Sequence, residues 1–262
     1  VRETPYITAL MLYYGRRNFA EEAVESFLRQ TYPHKRLLIV NTHPDPVWFE
    51  QEHPNIEIHN LLPDSFENLN EKYNYGFSQI RTNWWAPWDS DDLWMPWHFE
   101  NIVNGIPEER WPDPLKVGVT KCYFACYNKI CQIGWNMWSN CIYETFDSEG
   151  KLHPGCDQTS PINCDNQTLN ENNWKRRWLR DSPPSVIFRW DDSGHGSEVV
   201  GEKGLAFQAK LREKMNAVRN SKPFRPHWDR DYVADVEEFN KTHDWRKTKR
   251  QSTPLEVRRR KQ

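Results

Sequence analysis

Two periods of apolar residues alternate along the first hundred positions. Residues 7–13, Ile-Thr-Ala-Leu-Met-Leu-Tyr, form a nearly unbroken apolar run of strand length, as expected for a strand covered on both faces. A turn follows at Tyr14-Gly15-Arg16-Arg17, and Asn18, with Glu21 three positions on, reads as a helix cap. Ala20, Val24, Phe27 and Leu28 give that helix a stripe of helical period, which Tyr32-Pro33 ends. Residues 37–40 and 56–59 predict further short strands, residues 66–80 a second helix and residues 84–88 a fourth strand. That strand runs straight into Asp89-Ser90-Asp91-Asp92. Strands and helices alternating at this spacing predict an α/β fold with a parallel, doubly wound sheet. Ligands of such sheets bind beyond the carboxyl ends of the strands. Tyr13, Tyr14, Asn41 and the acidic cluster all fall there.

The pattern changes after residue 105. Residues 117–127 and 130–143 predict strands around a Tyr127-Asn128-Lys129 turn, and Asp147-Ser148-Glu149-Gly150 is another turn. Residues 167–178 predict a helix, 186–190 a strand and 205–218 a helix. From Asn220 onward the chain is polar and carries Pro223, Pro226 and Pro254. With no internal repeat and no clean linker, the expected organisation is one main domain over residues 1–219, in halves 1–105 and 106–219. A C-terminal extension covers residues 220–262.

Composition adds three constraints. The 262 residues are 37% hydrophobic and 27% charged, which is globular, but 14 Trp is a high count. Any single Trp is read first as core; flat indole faces also suit a sugar or a base. The net charge of -2 hides an asymmetry, because residues 241–262 hold nine Lys/Arg against two Asp/Glu, a +7 segment on a -9 body. Such a segment is either a solvated terminus or a contact for a polyanion. The six Cys, at 122, 126, 131, 141, 156 and 164, contain no CxxC pair, so they read as reduced, mostly buried thiols of a cytosolic protein. No stretch approaches the ~20 apolar residues that span a bilayer. Val1-Arg2-Glu3-Thr4-Pro5 shows no signal-peptide pattern. The expected location is therefore cytoplasmic, in a bacterial or phage-infected host cell.

Asp89 and Asp91 are two apart, so on extended backbone both face one way. Carboxylates that close oppose one another's ionisation. A divalent cation removes the conflict: Mg²⁺ and Mn²⁺ take carboxylate oxygens and share substrate phosphates. The bland alternative is a turn or helix cap before Leu93.

Context separates the two. In order, the chain reads Pro5-Tyr6-Ile7-Thr8-Ala9-Leu10-Met11, Tyr14-Gly15-Arg16, Glu21-Glu22-Ala23-Val24-Glu25-Ser26, Gln30-Thr31-Tyr32-Pro33 and Leu38-Ile39-Val40-Asn41. Asn74-Tyr75-Gly76-Phe77 and Trp88-Asp89-Ser90-Asp91-Asp92-Leu93-Trp94 follow. This combination, over residues 5–105, resembles the nucleotide-binding half of the family-2-type glycosyltransferases of the GT-A fold. The resemblance implies a UDP-sugar donor, a Mn²⁺ or Mg²⁺ ion and transfer with inversion. It places Tyr13 and Tyr14 against the nucleoside and Asn74 near the diphosphate. Asp91 is then the direct metal ligand, with Asp89 at the metal and the ribose or donor sugar. Asn41 matches a position where the family has Asp on the uracil; an amide donates as well as accepts, which leaves the base open. The Asp-Gly-Ser that usually follows is replaced by Thr42-His43-Pro44.

The second half of the site is carried by resemblance alone. A general base is expected at the start of a late helix, and Asn163-Cys164-Asp165-Asn166-Gln167 is the matching segment. Asp165 is either that base or the N-cap of its helix, and Asp157 is the reserve. His195, in Ser193-Gly194-His195-Gly196, resembles a late His that completes the metal shell in relatives. Arg189 or Lys203 could meet the phosphates. The run from Trp88 to His98 looks more like phage and environmental members than cell-wall synthases. Three functions follow: transfer to a hydroxymethylated base in DNA, which the +7 segment suits; transfer to a glycan or glycoconjugate; and non-catalytic binding of nucleotide sugar or nucleic acid, against which the Asp89/Asp91 pair argues.

Overall fold

In a computed structural model, the described residues are 4–43, 53–109, 115–119, 121–126, 129–135, 140–146, 149–151, 175–190 and 232–247. The first half holds β1 (Ile7–Tyr13), α1 (Arg17–Leu28), β2 (Lys35–Asn41), β3 (Ile56–Asn60), α2 (Leu69–Ser78) and β4 (Trp84–Pro87). Then come β5 (Leu93–Trp94), α3 (His98–Asn104), β6 (Leu115–Val119), β7 (Lys121–Cys126), β8 (Lys129–Trp135) and β9 (Ile142–Glu144). β10 (Lys175–Trp178), β11 (Val186–Trp190) and α4 (Tyr232–Asn240) complete the described elements, with a single 3₁₀ turn at Trp245–Lys247.

One sheet has the order β10-β6-β9-β4-β1-β2-β3, the other β5-β11-β7-β8. β1 pairs in parallel with both β2 and β4, and β2 with β3. β9 runs antiparallel between β4 and β6. The expected doubly wound arrangement is present. Ile7, Ala9 and Met11 pack with Ala20, Ala23, Val24 and Phe27 of α1 on one face. Leu10, Leu38 and Val40 pack with Tyr73 and Phe77 of α2 on the other. Helix α2 approaches β1 so closely that a Cβ on Gly76 would lie 2.7 Å from Leu10 Cδ1. Trp84, Trp85, Trp88 and Trp94 are all buried, so the core reading holds for these four.

Several boundaries differ from the periodic reading. Asn18 is not the cap of α1; the N-cap is Arg16, left-handed and with no side-chain cap. Helix α2 starts only at Leu69, because the Asn68 side chain accepts from Glu71 N at 3.0 Å and so closes the helix end. The run predicted as one strand over residues 117–127 is split between the two sheets as β6 and β7. Within β6, Gly118 takes φ 94° where the register against β10 shifts, with Ile102 Cγ1 only 2.5 Å from where a Cβ would sit. Residues 130–143 divide in the same way between β8 and β9. At the end of the predicted 167–178 helix, Lys175–Trp178 is instead a strand, parallel to β6, with Lys175 and Arg177 on its exposed face. Residues 167–174 and the predicted 205–218 helix lie outside the described residues.

The described part of the C-terminal extension packs on the second sheet. Tyr232 and Val236 are buried with Leu93, Tyr123 and Ile187. Asn240 Nδ2 donates to Tyr123 Oη at 2.9 Å, and Lys121 Nζ donates to the Trp245 carbonyl at 2.5 Å. Cys122 and Cys141 are buried free thiols, as expected. No helix among the described residues is long and apolar enough to cross a membrane.

Candidate active site

The carboxyl ends of β1, β2 and β3 are level, since Tyr13 stands opposite Asn41 and Asn41 opposite Asn60. β4 reaches only as far as Leu10 of β1. Trp88 N then donates to the Leu10 carbonyl at 2.9 Å, and the chain turns at 89–92 beside the protruding end of β1. Two indoles hold that turn. Trp88 and Trp94 stack with centroids 3.9 Å apart and planes 17° apart, so the four polar residues form the loop of a clamp. Phe27 meets Trp88 edge-on at 5.7 Å, and Trp88 Nε1 donates to the Ala23 carbonyl at 3.0 Å. The Trp that precedes Asp89 thus anchors the loop to α1.

The three carboxylates of the loop are treated differently. Asp92 is 1% exposed, and its Oδ1 accepts from Arg189 N at 2.9 Å. Burial first, then the charges of Asp91 and Asp89, push its carboxyl well above the usual carboxylate range, against the pull of the Arg189 N–H and guanidinium. Asp89 and Asp91 are half-buried. Asp91 Oδ2 accepts from Arg16 Nη2 at 3.1 Å. Arg189, offered by the sequence as a phosphate ligand, is 5% exposed and engaged within the protein. Its Nε donates to the Asp91 carbonyl and its Nη1 to Glu22, and it lies 4.6 Å from the Phe19 ring centroid. It braces the loop against α1.

Around the ends of β1 and β2, Tyr13 is buried and Tyr14 is 65% exposed, with its ring edge-on to His43 at 5.6 Å. Asn41 is fully buried. Its Oδ1 accepts from His43 N and its Nδ2 donates to Asn60 Oδ1, each at 2.8 Å. That amide ties β2 to β3 and shapes the turn carrying His43. Lys72 was not anticipated. From α2 its Nζ donates to the Tyr13 carbonyl at 2.6 Å and to Thr42 Oγ1 at 2.9 Å. Burial lowers its pKa to about 8. A signal for it existed: Lys72 lies one turn before Gly76, on the face of α2 that packs on the sheet. Asn74 is half-buried and sits roughly 200° around the helix from Lys72, so the two do not share a face.

The donor set suits a hard cation that is completed by substrate. Among the described residues no three His, Cys, Asp or Glu side chains converge. Asp89 and Asp91 can supply one or two carboxylates, which is the mode in which Mg²⁺ or Mn²⁺ keeps waters and takes phosphate oxygens. Asp157, Asp165, His195 and Lys203 lie outside the described residues.

No protein-family model matches the sequence, and no curated protein matches it by sequence. Solved structures do match by shape. S. aureus TarS 1–349 in complex with UDP-GlcNAc superposes with a TM-score of 0.51 at 12% identity, covering 92% of this chain and 72% of that one. The same protein in complex with UDP gives 0.51 at 12% identity, over 90% and 70%. The chain has the GT-A fold. In GT-A terms, β1 to β4 with α1 and α2 are the Rossmann-like half, and the 89–92 turn follows its fourth strand. Longer S. aureus TarS superposes at 0.50 and 11% identity, with 90% of this chain covering 42% of that one.

Proposed function

We propose that this chain is a metal-dependent, inverting glycosyltransferase that moves a sugar from a UDP-sugar to a hydroxyl acceptor. The observation that carries the reading is the indole-clamped 89–92 turn, which sets two half-buried carboxylates beside the end of β1 in a GT-A fold. Asp91 would hold Mn²⁺ or Mg²⁺, with Asp89 beside it toward the ribose or donor sugar. Bound there, the ion supplies Lewis-acid neutralisation of the leaving diphosphate. Tyr14 offers an exposed ring for the nucleoside, and Tyr13 is its buried neighbour at the end of β1. Asp165, with Asp157 in reserve, takes the proton of the acceptor hydroxyl, and His195 is the further metal ligand. S. aureus TarS was solved with UDP-GlcNAc and with UDP, which makes UDP-GlcNAc the first donor to test.

For the acceptor we favour a hydroxymethylated pyrimidine in DNA. Two basic strips support a polyanion. One is the +7 segment at residues 241–262. The other is β10 with its flank, where Lys175, Arg177 and Arg180 are exposed on the sheet-edge strand. Phosphate contacts of this kind set affinity without reading sequence. The test is UDP-sugars with Mn²⁺ against hydroxymethylated DNA and simple glycans, read by product mass. A mass increment on DNA supports this acceptor; an increment on glycan alone replaces it. Absence of both transfer and donor hydrolysis would reduce the chain to a binding protein.

A further inference from the structure

Arg16 is the one non-glycine with positive φ among the described residues, at 56°, directly after Gly15 at 80°. A left-handed L-residue brings its Cβ against its own carbonyl and persists only where its surroundings hold it. Here the Arg16 carbonyl accepts from Phe19 N at 3.1 Å and Ala20 N at 3.2 Å, which starts α1. Its guanidinium lies 5.8 Å from the Phe19 ring centroid and reaches Asp91 Oδ2 at 3.1 Å. The strained turn therefore aims a cation at the acidic loop.

Three arginines crowd this end of α1, and their partners differ. Arg17 pairs along the helix with Glu21 at 2.6 Å. Arg189 is buried against Glu22 and the Asp91 carbonyl. Arg16 is held by Asp91, with its side chain 35% exposed and that of Asp91 13% exposed. An ion pair that solvent reaches on one side is weak, because water screens it. A dication on Asp91 would also stand within a few ångströms of this guanidinium, and like charges that close repel. A diphosphate resolves the conflict, because it brings several negative charges and a guanidinium matches phosphate oxygens in a two-pronged grip.

We propose that Arg16 is a diphosphate-binding residue stored on Asp91: it is the counter-ion of that carboxylate in the donor-free protein and passes to the phosphate oxygens of a nucleoside diphosphate when donor and metal arrive. The inference rests on the nucleotide-sugar reading of the site. It differs from the sequence expectation, which assigned phosphate contact to Arg189 or Lys203.

The test is Arg16→Gly in the full chain, since glycine keeps the left-handed turn without strain and so preserves the fold. Calorimetric titration is run with UDP plus Mn²⁺ and with uridine, and Mn²⁺ alone is followed by its spin-resonance signal. The variant is expected to lose about tenfold or more in UDP affinity, the value of a charged hydrogen bond, and to bind uridine within twofold of wild type. It is expected to bind Mn²⁺ alone more tightly, because Asp91 has lost its competing cation. Unchanged UDP affinity, equal losses for UDP and uridine, or Mn²⁺ binding no tighter than wild type would each overturn the role given to Arg16. Failure of the wild-type chain to bind UDP, GDP, ADP or CDP overturns the nucleotide reading beneath it.

Discussion

On its inner side, the 89–92 turn is held by groups shut away from water. Trp88 and Trp94 stack at 3.9 Å, Asp92 is buried on the Arg189 N–H, and the Arg189 guanidinium joins the Asp91 carbonyl to Glu22 of α1. On its outer side, Asp89 and Asp91 are half-buried, and the partner of Asp91 is an arginine whose side chain is 35% exposed. One peptide thus presents a rigid back and an exchangeable front. Charges that must swap partners need solvent at hand, whereas the geometry that places them needs packing that cannot relax. The difference explains why three aspartates within four residues do not share one role.

That contrast can be broken by substitution, beginning at the front. Asp91→Ala should lower Mn²⁺-dependent transfer by about 10³-fold or more. Its stability should change by less than about 1 kcal/mol, since the pair with Arg16 is part-exposed and loss of the Asp91 charge relieves the buried Asp92. Near-wild-type metal-dependent transfer in a folded Asp91→Ala protein would remove the central claim. The back should behave the other way. Trp88→Ala empties a packed site and should cost about 3–5 kcal/mol in urea unfolding, with transfer falling alongside. A Trp88→Ala protein of unchanged stability would mean that the clamp is not structural.

Lys72 sharpens the comparison, being a buried cation at the end of β1 rather than a front-side one. Its folded pKa is about 8 against an ordinary 10.5. Between those values the unfolded chain holds a proton that the folded chain has released. Stability should therefore rise with pH through this window, by at most about 1.4 kcal/mol per pH unit. In Lys72→Met that rise should be missing, which the difference between the two stability–pH curves reads directly. Parallel curves would show Lys72 to be as well solvated as a surface lysine. The smallest effect is expected for Arg16→Gly, where relief of the left-handed backbone offsets loss of the pair with Asp91. The unfolding free energy should move by less than about 1 kcal/mol. A large loss would make the Arg16–Asp91 pair part of the scaffold and erase the distinction between front and back.

How far these features could be read in advance differs along the chain. The first four strands and both helices of the Rossmann-like half follow from local periodicity, with errors of a few residues at caps. Asn68 stops α2 short, and Arg16 replaces Asn18 at the start of α1. The second half was legible only in pieces. A run of strand-forming residues does not say which sheet will take it, and β6 and β7, consecutive in the chain, belong to different ones. Lys175–Trp178 continued a predicted helix until β6 offered it a ladder of hydrogen bonds. The basic segment reads in sequence as a solvated terminus or a polyanion contact, yet within its 241–247 part Trp245 is buried and its carbonyl receives the Lys121 ammonium.

The amino-acid sequence by itself determined the alternation of strand and helix, the arrival of Asp89 and Asp91 at a strand end, and the likeness to GT-A glycosyltransferases. Those properties are local, since apolar period, turn residues and the spacing of two acids are written within a few neighbouring positions. Tertiary structure alone decided which acid is buried, which arginine meets it and what stacks behind. Asp92 and Arg189 are 97 positions apart, Arg189 and Glu22 167 apart, and Arg16 and Asp91 75 apart. The ionisation and partnership of a carboxylate depend on the dielectric and the charges within a few ångströms of it. Contacts across such separations exist only once the two sheets and α1 have closed around the turn.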